Sequence, residues 1–99
     1  MANELEITHK ATDEGGAFLI QDGERELGHL RWRRSPAGNL DGYTTFSDPE
    51  LRGRGMARRL VDELVAMAQK EGVGILPTCP YIARVMNEDT ALTPLIRAE

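Results

Sequence analysis

The sequence is poor in cysteine, in aromatic residues and in long apolar stretches. Its single cysteine, Cys79, excludes an internal disulfide bond and a zinc site built from several thiolates. The two histidines, His9 and His29, are far apart and lack the spacing of metal ligands, so we expect no metal site. No apolar stretch approaches the roughly 20 residues that cross a bilayer, and residues 1–10 do not resemble an export signal. These features predict a cytoplasmic protein without a membrane partner.

The chain also lacks a basic excess. Its 99 residues include 12 lysines and arginines against 16 aspartates and glutamates, which gives a formal charge of -4. Nucleic-acid-binding proteins need a broad basic surface, so the acidic total argues against a nucleic-acid partner. Apolar residues make up 40% of the chain, too many for a disordered protein. We therefore expect a single domain over residues 1–99 with one core.

Alternating apolar and polar residues in the first half predict an antiparallel meander of about four strands. The predicted strands cover residues 4–9, 17–20, 26–33 and 40–46. Asp22 and Gly23 form the dipeptide typical of a two-residue hairpin turn. The early chain therefore predicts a sheet.

The second half changes to a helical period. Apolar residues recur at helical spacing over 56–68, Gly72 is a natural helix end, and 73–76 is a short apolar strand. A strand, loop, helix and strand over residues 40–76 should place its two strands side by side. Pro80 marks the start of a short C-terminal helix. The predicted fold class is α/β, more narrowly α+β: the meander, then this strand-loop-helix-strand unit, then the short helix.

The loop before the long helix combines arginine with glycine. Helix dipoles favour acidic side chains in the first turn, yet this loop and turn carry four arginines: Arg52, Arg54, Arg58 and Arg59. Gly53 and Gly55 leave backbone N–H groups accessible, and arginine binds phosphate through paired hydrogen bonds. The pattern favours phosphate binding over the alternative, a turn whose arginines pair with nearby acids. Neither a nucleotide P-loop nor a dinucleotide fingerprint is present.

Residues 52–57, Arg-Gly-Arg-Gly-Met-Ala, fit the Arg/Gln-x-x-Gly-x-Gly/Ala signature of the GNAT superfamily of N-acetyltransferases. The element order and the segment 77–81, Pro-Thr-Cys-Pro-Tyr, resemble the small single-domain YjdJ-type branch of that superfamily. The resemblance covers nearly the whole chain and is strongest over residues 43–84.

The resemblance implies a GNAT-like fold and transfer of the acetyl group of acetyl-CoA to an amine of an unknown acceptor. The sheet should splay between the strand near 43–46 and the strand at 73–76, with the cofactor in the gap. The implied cofactor-binding residues are Thr44, Thr45 and Phe46 beside the pantetheine arm, Arg52, Gly53, Arg54, Gly55, Met56, Ala57 and Arg58 around the pyrophosphate, and Pro80 and Tyr81.

The resemblance places the thioester near Tyr43 and Cys79, the two candidate catalytic residues. Tyr43 stands where the branch often has histidine; its ordinary pKa near 10 suits a general acid, and packing within the sheet is the alternative. Cys79 at a helix N-terminus should have a lowered thiol pKa. Three roles stay open for it: a nucleophile, a base, or a small wall of the pocket.

The sequence does not identify the general base. His9 and His29 are candidates that cannot be placed in the pocket from sequence. Asp41, Asp48 and Glu50 are further candidate bases, and a solvated loop charge is the favoured interpretation of each.

The chain has no room for the extra helices and strands that shape the acceptor site of larger GNAT domains. We expect a shallow, open groove or one completed by a second subunit, in a monomer or weak homodimer. A second basic run, Arg31, Arg33 and Arg34, is interpreted as a solvated face rather than a site for an acidic partner. Two other functions stay open: a non-catalytic acyl-CoA sensor, and a module that binds a phosphorylated or nucleic-acid partner.

Overall fold

A five-stranded sheet carries both α-helices on one of its faces in the computed structural model, which describes residues 5–99. The elements are β1 (Glu6–Ala11), β2 (Gly15–Asp22), β3 (Arg25–Arg34), β4 (Leu40–Ser47), α1 (Met56–Glu71), β5 (Ile75–Pro77) and α2 (Pro80–Glu88), with 3-10 turns at Pro49–Leu51 and Thr93–Leu95. Strands β1 to β4 are antiparallel neighbours in chain order, and β5 pairs with β4 in parallel. The α+β fold predicted from the sequence is confirmed. Residue 4, the start of the predicted strand 4–9, lies outside the described residues.

The hairpin predicted at Asp22 and Gly23 joins β2 to β3, displaced by one residue. Asp22 still pairs with Arg25, and the two-residue loop is Gly23 and Glu24. Gly23 has a φ of 61°, a conformation that glycine adopts without the strain a side chain would bring.

Helix α1 packs its apolar stripe against β2, β3 and β4. Its buried residues are Met56, Leu60, Val61, Leu64, Val65 and Ala68. Truncating a fully buried leucine such as Leu64 to alanine would cost about 2–5 kcal/mol. The helix ends at Gly72, whose left-handed conformation lets its N–H reach the carbonyls of Ala68 and Gln69. None of the helices among residues 5–99 is long and apolar enough to cross a membrane.

Strand alternation gives the sheet two unlike faces. Leu30 and Trp32 point into the core beneath α1, while the intervening Arg31 is exposed on the other face. Within residues 5–99 that second face carries no helix. We call it the open face; its side chains include Lys10, Ala17, Leu19, His29, Arg31, Arg33, Tyr43 and Phe46.

The contact between β4 and β5 is short. Only three residue pairs join the strands, the last between Gly42 and Pro77. A Cβ at Gly42 would lie 2.7 Å from Ile82 Cδ1 and 3.1 Å from Leu64 Cδ2, so both helices approach the strand closely there. The absence of a side chain at Gly42 therefore fixes where α1 and α2 sit over the sheet.

Candidate functional site

A cleft opens where β5 leaves β4. The Cys79 N–H donates to the Gly42 carbonyl at 2.9 Å, and β4 continues beyond that bond to Ser47 with no strand on this side among residues 5–99. We call this unpaired edge of residues 43–47, together with the start of α2 that Thr45 contacts through Cys79, the cleft. An unpaired strand edge offers backbone donors and acceptors to an extended ligand.

The N-terminus of α1 has no side-chain cap. Gly53 and Gly55 have φ values of 77° and 71°, and the first turn of the helix holds no acidic residue. Among the described residues, the amides of residues 55–58 have no hydrogen-bond partner; the first bond of the helix is from Arg59 N–H to Gly55 O at 3.3 Å. We call residues 55–58 the amide cradle. Its unfilled N–H groups and the helix dipole favour an anion.

The four arginines of this segment differ in their pairing. Within residues 5–99, Arg52 and Arg54 make no ion pair. Arg58 donates to Asp62 and to Asp89, each at 3.0 Å, and these hydrogen bonds hold the pKa of its guanidinium above the usual value. The Arg59 guanidinium donates to the sulfur of Met56 at 3.8 Å and makes no ion pair with another residue of the range 5–99.

These features fit a phosphate or diphosphate group. The amide cradle has donors without acceptors, Arg52 and Arg54 have charge without a counter-ion, and no carboxylate occupies the first helical turn. Arg58 is different because two carboxylates already balance its charge. The arginine and glycine pattern therefore marks an anion site, but its arginines are not equivalent.

Cys79 is the N-cap of α2 and is 6% exposed. Its Sγ lies 3.4 Å from Thr45 Oγ1, across the cleft on β4. Burial alone would raise the pKa of the Cys79 thiol, but hydrogen bonds from the Thr45 hydroxyl and from the α2 amides of Ile82 and Tyr81 outweigh it and lower the pKa. The lowered pKa expected for a thiol at a helix start is thus present.

Tyr43 occupies a bulge in β4. Arg31 pairs with Thr44 and Trp32 with Gly42, which leaves Tyr43 as the extra residue of the strand. Its ring lies on the open face, where the guanidinium of Arg33 stacks over it. The bulge therefore falls directly after Gly42, the last residue of β4 that pairs with β5.

Asp41 is not a solvated loop charge; that interpretation is wrong. It lies in β4, is 9% exposed, and accepts hydrogen bonds from Arg33 Nε at 3.0 Å and from Thr78 Oγ1 at 2.5 Å. The sequence signal for its burial is its position inside the predicted strand at 40–46. Asp41 joins β3, β4 and the residue before Cys79.

The other residues implied at the cofactor site fall on two sides of β4. The Thr45 side chain faces the cleft, whereas Thr44 pairs with Arg31 and Phe46 approaches the His29 ring, both on the open face. Only the backbone of Thr44 and Phe46 can therefore line the cleft. Pro80 and Tyr81 form the first turn of α2, and Tyr81 is half-buried.

The two histidines lie on opposite faces of the sheet and share no site. Trp32 Nε1 donates to His9 Nε2 at 3.0 Å, and His9 stacks on Phe18 with ring centroids 4.0 Å apart. His29 Nδ1 lies 2.9 Å from a carboxylate oxygen of Glu26 on the open face. Asp48 accepts a hydrogen bond from the Glu50 amide, and Glu50 pairs with Arg25 at 3.2 Å.

The comparisons with known proteins agree with this geometry. A family model described as GCN5-related N-acetyl-transferase matches residues 17–94, which include most of β2, the whole of β3, β4 and β5, both α-helices and the amide cradle. A search of curated proteins gave no match. Because the match covers most of the chain, the protein belongs to the GCN5-related N-acetyltransferase family.

Proposed function

We propose that the protein is an N-acetyltransferase that transfers the acetyl group of acetyl-CoA to an amine. One observation carries the proposal: β4 runs past its last β5 partner, Thr45 on that free edge contacts Cys79 at the start of α2, and the helix that follows β4 begins without a side-chain cap. Residues 77–81, Pro-Thr-Cys-Pro-Tyr, support the YjdJ-type branch of the family.

Different residues around the cleft bind different parts of the cofactor. Acetyl-CoA, when bound, supplies an activated acetyl thioester. The backbone edge of residues 44–46 pairs with the amide groups of the pantetheine arm as an added strand would. The amide cradle, Arg52 and Arg54 hold the diphosphate, and Pro80 and Tyr81 close the side formed by α2.

Transfer to an amine needs a neutral nitrogen and a proton for the departing sulfur. We assign proton donation to the Tyr43 hydroxyl, because Tyr43 is the first residue of β4 beyond its last partner on β5. Cys79 either accepts a proton from the amine as a thiolate or serves as a small wall. Loss of rate in both Cys79→Ala and Cys79→Ser establishes a chemical role, and an undiminished rate in both removes the thiol from the chemistry.

Calorimetry with coenzyme A and acetyl-CoA tests the proposal. Gly55→Ala should weaken binding about tenfold, because a Cβ at a φ of 71° strains the amide cradle and enters the space of the anion. Gly72→Ala is the matched control: its φ is 72°, its surroundings are equally open, and it lies at the far end of α1. Absence of cofactor binding at millimolar concentration would overturn the proposal.

A second candidate is a non-catalytic acyl-CoA sensor. It is favoured by Tyr43, a tyrosine where the resembling branch often has a histidine base. The sensor predicts tight cofactor binding with no acetyl transfer to any member of an amine panel, so a turnover assay on the same protein separates the two functions.

A further inference from the structure

We propose that the acceptor is a small amine carrying a carboxylate or phosphate group, bound in a basic hollow on the open face beside Tyr43. The inference rests on the proposed acetyltransferase function and concerns its second substrate. The hollow lies on the opposite side of the sheet from α1 and is separate from the amide cradle.

The register of the sheet builds the hollow. Lys10 pairs with Ala17, Ala17 with Arg31, and Arg31 with Thr44, so these four residues form one row across β1 to β4. Adjacent strands are about 4.8 Å apart, so the backbones of Lys10 and Arg31 lie about 10 Å apart, on either side of the small Ala17. We call this the cationic row.

A second pair of residues, Gly15 and Arg33, borders the same hollow. Gly15 on β2 pairs with Arg33 on β3, so β2 contributes only small residues at two successive open-face positions. A cavity of about 470 Å³ lies over them, lined also by Lys10, Arg31 and Tyr43. Its volume suits a small molecule.

Two cationic side chains that line the hollow, Lys10 and Arg31, are available to bind an anion. Within residues 5–99, neither Lys10 nor Arg31 makes an ion pair, whereas Arg33 is held by Asp41 at 3.0 Å. Glu14 and Glu26 line the hollow as well, but Glu26 is engaged with His29. An anionic group between Lys10 and Arg31 would gain charge-assisted hydrogen bonds that a neutral group cannot make.

The interpretation of Arg31, Arg33 and Arg34 as one solvated run therefore needs revision. Arg34 points to the helical side and pairs with Glu71 of α1 at 2.8 Å, while Arg33 is fixed over Tyr43. Of these three arginines, Arg31 alone makes no ion pair within residues 5–99, and it lies in the cationic row with Lys10.

The same row orients the acceptor. Arg31 pairs with Thr44, the residue next to Tyr43, so an anion held at Arg31 places an amine on a short spacer near the mouth of the cleft. There the nitrogen forms its bond to the acetyl carbon as the carbon–sulfur bond breaks. The nitrogen loses one proton and the departing sulfur gains one, so no other reactant is required.

Matched amines test the inference in steady-state kinetics. The pairs are phosphoethanolamine with ethanolamine, and γ-aminobutyrate with butylamine. In at least one pair, we expect the member with the phosphate or carboxylate group to have a KM about tenfold lower than its partner. The pair that shows this difference identifies phosphate or carboxylate as the recognised group. Arg31→Gln and Lys10→Gln should remove that advantage and leave the KM for acetyl-CoA unchanged. Lys70→Gln, on the exposed side of α1, is the control and should keep the advantage.

A binding experiment makes the inference separable from the proposed function. In an NMR titration with phosphoethanolamine, the amide resonances of Ala17 and Arg31 should shift in the wild type and in Lys70→Gln but not in Lys10→Gln. Shifts confined to the amide cradle, or equal KM values for amines with and without the anionic group, would overturn the inference while the proposed function stands. Failure of coenzyme A to bind would instead overturn the proposed function, and with it the role of the hollow as an acceptor site.

Discussion

The guanidinium carbon of Arg33 lies 4.5 Å from the centroid of the Tyr43 ring. Asp41 holds the same guanidinium through Arg33 Nε at 3.0 Å and also accepts from the Thr78 hydroxyl. The ring of Tyr43 is therefore positioned by a charged contact between β3 and β4, close to where β5 turns away. A stacked guanidinium restrains a ring without occupying its hydroxyl.

Tyr43→Phe should lower kcat about a hundredfold, because it removes the proposed proton donor and keeps the ring that Arg33 covers. The KM for acetyl-CoA should change little, since the backbone edge of β4 is unaltered. Steady-state kinetics with circular dichroism as a folding control checks this. A kcat within twofold of the wild type would assign Tyr43 to packing alone.

Thr45→Val should raise the pKa of the Cys79 thiol, because it removes a hydrogen bond that favours the thiolate and leaves the burial that disfavours it. The measurement is the pH dependence of alkylation by iodoacetamide, whose midpoint should move upward. Thr44→Val is the control, since that side chain lies on the open face. An unchanged midpoint in Thr45→Val would contradict the assigned cause.

Arg54→Gln should weaken coenzyme A binding more than Arg58→Gln does. The charge of Arg54 has no counter-ion within residues 5–99, whereas Arg58 is shared between Asp62 and Asp89. We expect about a tenfold loss of affinity for Arg54→Gln and a smaller one for Arg58→Gln, measured by calorimetry. The reverse order would show that Arg58 leaves its carboxylates when the anion binds.

His9 should make the fold sensitive to mild acid. Burial lowers the pKa of its imidazole, against the opposing charges of Glu63 and Glu71, and its Nε2 accepts the Trp32 N–H only when unprotonated. The folded state therefore binds fewer protons than the unfolded state. This contribution to stability is complete above the ordinary histidine pKa of about 6.5 and is lost as the pH falls below it.

Denaturant unfolding followed by Trp32 fluorescence measures this effect. His9→Gln should lose less stability than the wild type between about pH 7 and about pH 5. His29→Gln serves as the control because His29 lies on the open face beside Glu26. Identical pH profiles for the wild type and His9→Gln would exclude the proposed linkage.

Local patterns predicted much of this fold. The helical stripe over 56–68, the stop at Gly72 and the start at Pro80 all appear in the structure because caps and turns depend on neighbouring residues. The parallel pairing of β4 with β5 also followed from the strand-helix-strand order. These features need no knowledge of distant contacts.

The details of the site depend on contacts between distant residues and could not be read from local pattern. Asp41 is buried because Arg33 and Thr78 reach it from two other elements. The charge of Arg58 is balanced by Asp89, 31 residues along the chain. The assembly of strands and helices determines which arginines lack a carboxylate partner and which acidic side chains become buried.

The early divergence of β5 from β4 has a kinetic consequence. Because the strand edge at residues 43–47 is exposed before any ligand arrives, entry requires no rupture of the sheet. Association should then proceed at the ordinary diffusive rate for a small molecule, with no slow unimolecular phase in stopped-flow traces. The same exposed amides should exchange hydrogen quickly in the free protein and become protected once occupied.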